Sequence, residues 1–305
     1  MLSNELIAQI RFLELKSKRM ASDVLSGNYA SAFHGRGLDF QEVREYSPGD
    51  EVRSIDWNVT ARTGIPHIKI YREERELTVI LAIDVSRSVL TATQSTRASV
   101  AHELAAVIAW LAIRNNDRVG LLLFSDKIEF YSPPKKGRGH VWQLIKDVYS
   151  FKPSNKGTDI KMAFEYLEKI HKRRATCFVI SDFWSGNFDD ALKRCSRQHD
   201  LTCVAVRDQN MKSLPDVGLV RWRDSETGET RLIDTSDSRV RDAFEAATTQ
   251  MHSIGHKAIK SGADYFEIDT NESVIIPLTK YLRGHHKGSQ NSVGTTSNDA
   301  KRSRV

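Results

Sequence analysis

The chain has 305 residues, 40% of them hydrophobic and 28% charged, with a formal net charge of +6. That length suits one large domain with an extension or two modest domains, and the composition excludes a fibrous or wholly disordered chain. No apolar run reaches the roughly 18 residues that a membrane helix needs, and so mild a charge favours a solvated surface with a basic end over nucleic-acid binding.

The opening "MLSNELIAQIRFLELKSKRM" is interrupted by Glu5, Gln9, Arg11 and Glu14, so it reads as an amphipathic helix rather than a secretory signal. The rest of residues 1–76 is punctuated by Gly27, Gly35, Gly37, Pro48, Gly49 and Gly64, and "IPHIKIYREE" alternates as a strand does. Arg36, Arg44, Arg53 and Arg62 intersperse with Asp39, Glu42, Glu45, Asp50, Glu51 and Asp56. Mixed signs predict a salt-bridged segment packed on a sheet, with Trp57 as its apolar anchor; the sharper reading is a partner-binding surface.

From residue 77 the pattern changes. "LTVILAID" is a nearly continuous apolar run, as in a strand covered on both faces. "STRASVAHELAAVIAWLAIRNN" is a long helix and "RVGLLLF" another buried strand, with "IEFYS" returning antiparallel. "PPKKGRGH" reads as a loop, whose Lys135, Lys136, Arg138 and His140 suit either a phosphate or plain surface. "VWQLIKDVYSF" and "IKMAFEYLEKIHKR" are amphipathic helices, and "ATCFVISD" and "LTCVAVRD" are strands flanking a helix at 188–198. A hairpin turning at Thr227–Gly228 follows, then one long helix through "SDSRVRDAFEAATTQMHSIGHKAIKSG", the strand "ADYFEID" and the closing helix "VIIPLTKYLR". This alternation predicts an α/β fold with a doubly wound, mostly parallel sheet over residues 77–284, preceded by a helix/β extension at 1–76. Residues 285–305 are polar, basic and rich in Gly, Ser and Thr, which predicts a disordered tail.

The three cysteines, Cys177, Cys195 and Cys203, sit in apolar or helical stretches without CxxC or Cys/His clustering. They read as reduced, buried thiols in a cytoplasmic protein, not as zinc ligands or disulfides.

The chemistry-bearing feature is "LAIDVSRSVL", where an apolar strand ends in Asp84, Ser86 and Ser88. Ligands of an open parallel sheet bind beyond the carboxyl ends of its strands. "KGTDIKMA" brings Thr158 to that edge and "VISDFWSG" brings Asp182. Alone, each residue has a simpler use: Ser86, Ser88 or Thr158 as helix caps, Asp84 as an acceptor for loop amides. Together, oxygen-only ligands suit a hard cation, Mg²⁺ or Mn²⁺, with room for one further donor from another protein.

This DxSxS, Thr, Asp pattern resembles the metal-ion-dependent adhesion site of von Willebrand factor A domains. The resemblance implies Ser86, Ser88 and Thr158 as direct ligands and Asp84 and Asp182 as direct or water-mediated ones. The segment "GRGLDFQEVREYSPGDEVRSIDWNVTARTG", leading into "KIYREERELTVILAIDVSRS", is similar to a bacterial family of unknown function that carries an A-type domain and is commonly encoded beside MoxR-type AAA+ ATPases. That similarity implies a metal-dependent adaptor or co-chaperone, whose partner is such an ATPase or its client. The alternative is a Mg²⁺-dependent phosphatase-like hydrolase with Asp84 as nucleophile, although Ser86 stands where a second acid is needed. No Gly-rich nucleotide loop of the G-x-G-x-x-G or Walker type follows a strand, so no dehydrogenase or ATPase is expected.

Overall fold

The computed structural model describes residues 16–17, 19–21, 23–33, 39–72, 76–86, 96–152, 157–208, 214–223 and 230–291. The front section holds α1 (Asp23–Phe33), β1 (Asp39–Glu45), α2 (Trp57–Thr63) and β2 (His67–Arg72). β1 and β2 pair antiparallel in a two-stranded sheet of their own. Asp56 starts α2 by accepting hydrogen bonds from the Asn58 and Val59 amides. The expected ion pairing is present at Arg44, whose guanidinium binds Asp50 at 2.6 Å. Trp57 is not an anchor: it is 67% exposed. It opens a two-turn helix that buries no residue, so no core lies within its reach.

The chain continues through β3 (Thr78–Asp84), α3 (Thr96–Arg114), β4 (Arg118–Phe124), β5 (Ile128–Lys135), α4 (Arg138–Ser150), α5 (Ile160–Ile170) and β6 (Thr176–Ser181). Then come α6 (Asp189–Gln198), β7 (Asp200–Arg207), β8 (Leu219–Arg223), β9 (Thr230–Asp234), α7 (Ser238–His252), α8 (Ile254–Lys260), β10 (Asp264–Asp269) and α9 (Ile275–Asn291). The main sheet has six strands in the order β10-β7-β6-β3-β4-β5, all parallel except β5. This is the doubly wound α/β architecture that the strand–helix alternation predicts.

β3, β4 and β6 bury almost every residue because helices cover both faces. Leu81, Ile83, Leu121 and Leu123 pack in one core with α1, α3, α4 and α9, while Ile80, Ala82, Leu122 and Phe124 pack in the other with α5, α6 and α8. Neighbouring residues thus feed opposite cores, as the two-residue period of a strand requires. The opening helix of the sequence falls mostly outside the described residues. The helix found, α1, runs through Gly27, read above as punctuation, because Leu25, Tyr29, Ala32 and Phe33 share one face and enter the first core. The buried Asp117 fastens it: Tyr29 donates its hydroxyl to Asp117 Oδ2 at 3.0 Å, and the Leu77 amide donates to Oδ1 at 2.9 Å.

Three other local readings change. "PPKKGRGH" is not a loop: β5 continues through Pro133 and Pro134, and α4 begins at Arg138. An edge strand tolerates residues without an N–H. The register slips there, so the two prolines face the single Gly120, where a Cβ would lie 3.0 Å from Pro134 Cγ. Two of its four basic residues are engaged internally, Lys136 with Glu76 and His140 Nε2 with the Val119 carbonyl at 2.9 Å. The helix expected over "SDSRVRDAFEAATTQMHSIGHKAIKSG" is two, parted at Ser253. α8 lies against the Tyr265 ring of β10, an approach that a Cβ on Gly255, 2.8 Å from that ring, would obstruct. α9 continues to Asn291, through residues read as the start of the tail. β8 and β9 form the expected hairpin, its tip outside the described residues.

Replacing Asp117 by Ala leaves the Tyr29 hydroxyl and the Leu77 amide without their buried acceptor. Urea unfolding is expected to show a loss of about 3 kcal/mol, against about 1 kcal/mol for Tyr29→Phe.

Candidate metal centre

The winding of the main sheet reverses between β3 and β6, and in such folds ligands bind at the carboxyl ends of the strands on either side of that reversal. Asp84 is the last residue of β3, and Asp182 follows directly on β6. Both are buried, at 1% and 3% exposure, and Ser86 is fully enclosed. Asp84 Oδ1 accepts from the Ser86 amide at 2.9 Å, and Oδ2 accepts from the Ser181 hydroxyl at 2.7 Å. Asp182 Oδ1 accepts from the Trp184 amide at 3.0 Å, and Oδ2 accepts from the Arg97 guanidinium at 3.1 Å. Arg207, at the end of β7, donates to the Asp182 carbonyl at 2.7 Å. Burial first, then the charge of Asp182, raises Asp84 from the ordinary 3.8 to about 7.

Thr158 reaches the same edge on the segment before α5. It does not cap that helix: Asp159 does, accepting from the Met162 amide at 3.1 Å. The segment is tied down twice, by the Asp159 amide to the Ser125 carbonyl at 2.9 Å and by the Ser185 hydroxyl to the Thr158 carbonyl at 3.1 Å. The Thr158 hydroxyl itself is buried and has no hydrogen-bond partner among the described residues. The structure therefore gathers Asp84, Ser86 and Asp182 in one bonded cluster and joins Thr158 to it through the loop after Asp182. Ser88 lies outside the described residues.

That loop carries local strain. Phe183 adopts a left-handed backbone, φ 57°, which costs a non-glycine residue about 1–2 kcal/mol. The Ser181 hydroxyl accepts its amide at 3.0 Å, and its ring lies 6.2 Å from that of Phe188. The turn leaves Trp184, two residues from Asp182, 52% exposed.

Two carboxylates and two hydroxyls form a hard oxygen-donor set that matches Mg²⁺ or Mn²⁺. The Thr158 hydroxyl fits such an ion, because a buried hydroxyl without a partner costs roughly 1–3 kcal/mol and ligation would relieve it. The set fits a phosphatase less well. The residue two positions on from Asp84 is the enclosed Ser86, which offers no second acid. Sequence reading passed over Arg97, Ser181 and Arg207. Ser181 abuts Asp182, and Arg97 is a cation just ahead of the apolar "ASVAHELAAVIAW" stretch, but their pairings span 97 and 85 residues and leave no local pattern. A second cluster, Asp200, Asp264 and His285, lies away from these residues, at the amino ends of β7 and β10. Its groups pair among themselves or with Arg174, with His285 Nδ1 2.6 Å from Asp264.

Residues 42–254 match the family described as "Protein of unknown function DUF58". An uncharacterized protein of Mycobacterium tuberculosis is 29% identical over 289 residues, which span 93% of this chain and 91% of the relative. An uncharacterized protein of Mycobacterium avium is 27% identical over 160 residues, 51% of this chain and 94% of its own length. Among solved structures, a conserved hypothetical protein BatB from Bacteroides thetaiotaomicron is similar over 69% of this chain and 99% of its own, at 19% identity and a TM-score of 0.44. A von Willebrand factor type A structure from Catenulispora acidiphila is similar over 73% of this chain and 44% of its own, at 9% identity and a TM-score of 0.37.

Because the Asp84 carboxyl is raised, the folded protein keeps a proton there that the unfolded chain releases, so this group destabilises the fold increasingly as pH rises from 3.8 to about 7. In EDTA, the melting temperature of Asp84→Asn relative to the wild type is expected to rise across that window; the difference isolates Asp84, because both proteins share the opposing contribution of His102, which burial lowers to about 4.

Proposed function

The chain belongs to the DUF58 family, whose function is unknown, and on that footing we propose that it is a metal-dependent protein–protein interaction module. Mg²⁺ or Mn²⁺ is held by Asp84, Ser86, Ser88, Thr158 and Asp182, and a carboxylate of the partner completes its coordination. What carries the reading is the Thr158 hydroxyl, buried without a partner among the described residues, beside the loop that holds Asp182. A divalent ion would supply the charge that two buried carboxylates call for and a Lewis-acidic point for an acidic side chain. Trp184, exposed two residues from Asp182, is the type of side chain that anchors protein contacts. The partner suggested by the resemblance of the front segment is a MoxR-type AAA+ ATPase or its client, which makes the module an adaptor or co-chaperone in complex assembly. The proposal places the module in the cytoplasm, with which three free, buried thiols are compatible.

The tagged protein and its Asp84→Ala variant are used to capture partners from the lysate of the organism that encodes the chain, in Mg²⁺ and again in EDTA. The expected result is an AAA+ ATPase retained only with metal and intact Asp84, with retention falling about tenfold or more otherwise. Partners indifferent to both changes would place binding on the front section. Metal-dependent phosphate release from an aryl phosphate would instead favour the hydrolase.

A further inference from the structure

Arg97 is the second residue of α3 and is buried, as is the Asp182 carboxylate it binds at 3.1 Å. Its position opposes the local field, since the amino end of a helix disfavours a cation. Burying a guanidinium also carries a desolvation penalty that only a well-placed anion offsets. The anion it uses is one of the two carboxylates that the metal reading requires.

Formal charges make this a conflict. Asp84 and Asp182 together match a divalent ion, but with Arg97 in place the cluster offers only one net negative charge. The two cations would also repel each other across a poorly solvated space. Asp182 cannot turn away freely. Its Oδ1 holds the Trp184 amide, its carbonyl holds Arg207, and the backbone after it is fixed by the left-handed Phe183. A divalent ion entering the cluster therefore competes with Arg97 for this carboxylate.

We propose that Arg97 is a tethered counter-ion of this centre: it holds Asp182 when no metal is bound, competes with the divalent ion for that carboxylate, and moves off when the ion enters. The proposal rests on the metal reading above. It makes the centre deliberately weak toward Mg²⁺ and couples loading to the first turn of α3. A partner that draws Arg97 onto its own carboxylate would raise metal affinity, and metal would by the same amount raise affinity for that partner.

Calorimetric titration with Mg²⁺ and Mn²⁺ on the wild type, Arg97→Gln, Arg97→Lys and Asp84→Ala tests it. Arg97→Gln is expected to bind about tenfold more tightly or better, Arg97→Lys to stay near the wild type, and Asp84→Ala to lose binding. Equal or weaker binding by Arg97→Gln, with Asp84→Ala still defective, overturns the counter-ion role and leaves the metal reading standing. Absence of binding in both wild type and Arg97→Gln overturns the two together. A second measurement needs only the wild-type fold. In ¹⁵N-arginine-labelled protein, the Arg97 Nε–H resonance, identified by its loss in Arg97→Lys, is expected to shift when Mg²⁺ is added. A resonance unmoved at saturating metal overturns the proposal.

Discussion

Two carboxylates buried in one cluster cannot both remain ionised without a compensating cation, and the carboxyl edge of the main sheet is organised around that constraint. Asp84 and Asp182 face it from strands adjacent in the sheet, with the Ser86 amide, the Ser181 hydroxyl and the Trp184 amide as donors. Arg97 supplies a direct opposite charge to Asp182, and Asp84 retains a proton more readily than an ordinary aspartate. Each of these arrangements costs something elsewhere: a cation at the wrong end of a helix, and a phenylalanine in a left-handed turn. Such costs persist where surrounding structure holds them, and here two packed cores do so.

The cores also explain why the edge is so well fixed. Strands β3 and β6 are paired along most of their length and sealed on both faces, so their final residues have little freedom. α1 adds a brace from outside the alternating part of the chain, through Tyr29 and the buried Asp117. In the front section, by contrast, the described side chains of the two-stranded sheet bury only Ile68. Exposed Trp57, Val52 and Ile65 lie on or beside it, so the salt-bridged character of this region is a surface property rather than a packing one.

Much of the fold was legible because a covered parallel strand leaves a continuous apolar run and a surface helix leaves a periodic one. β3, β4, β6 and β7 were readable on the first ground, and α5 on the second. What escaped depends on partners distant in sequence. Pro133 and Pro134 look like loop residues until an edge position makes their missing N–H groups harmless. Gly27 looks like a break until the face formed by Leu25, Tyr29 and Phe33 finds a core. In the centre, Asp84, Ser86, Thr158 and Asp182 were legible from their places at strand and helix ends. Arg97 and Ser181 were not, because their role exists only once β3, β6 and α3 are assembled.

The proline pair on β5 has one more consequence. An open sheet edge is a template on which a foreign strand can polymerise, since its unpaired amides and carbonyls invite a match. Two successive residues without an N–H, set in a bulge against Gly120, interrupt that ladder where β5 would otherwise be most extendable. The main sheet is thereby protected on this flank from growing into fibrils or swapping strands with a neighbour.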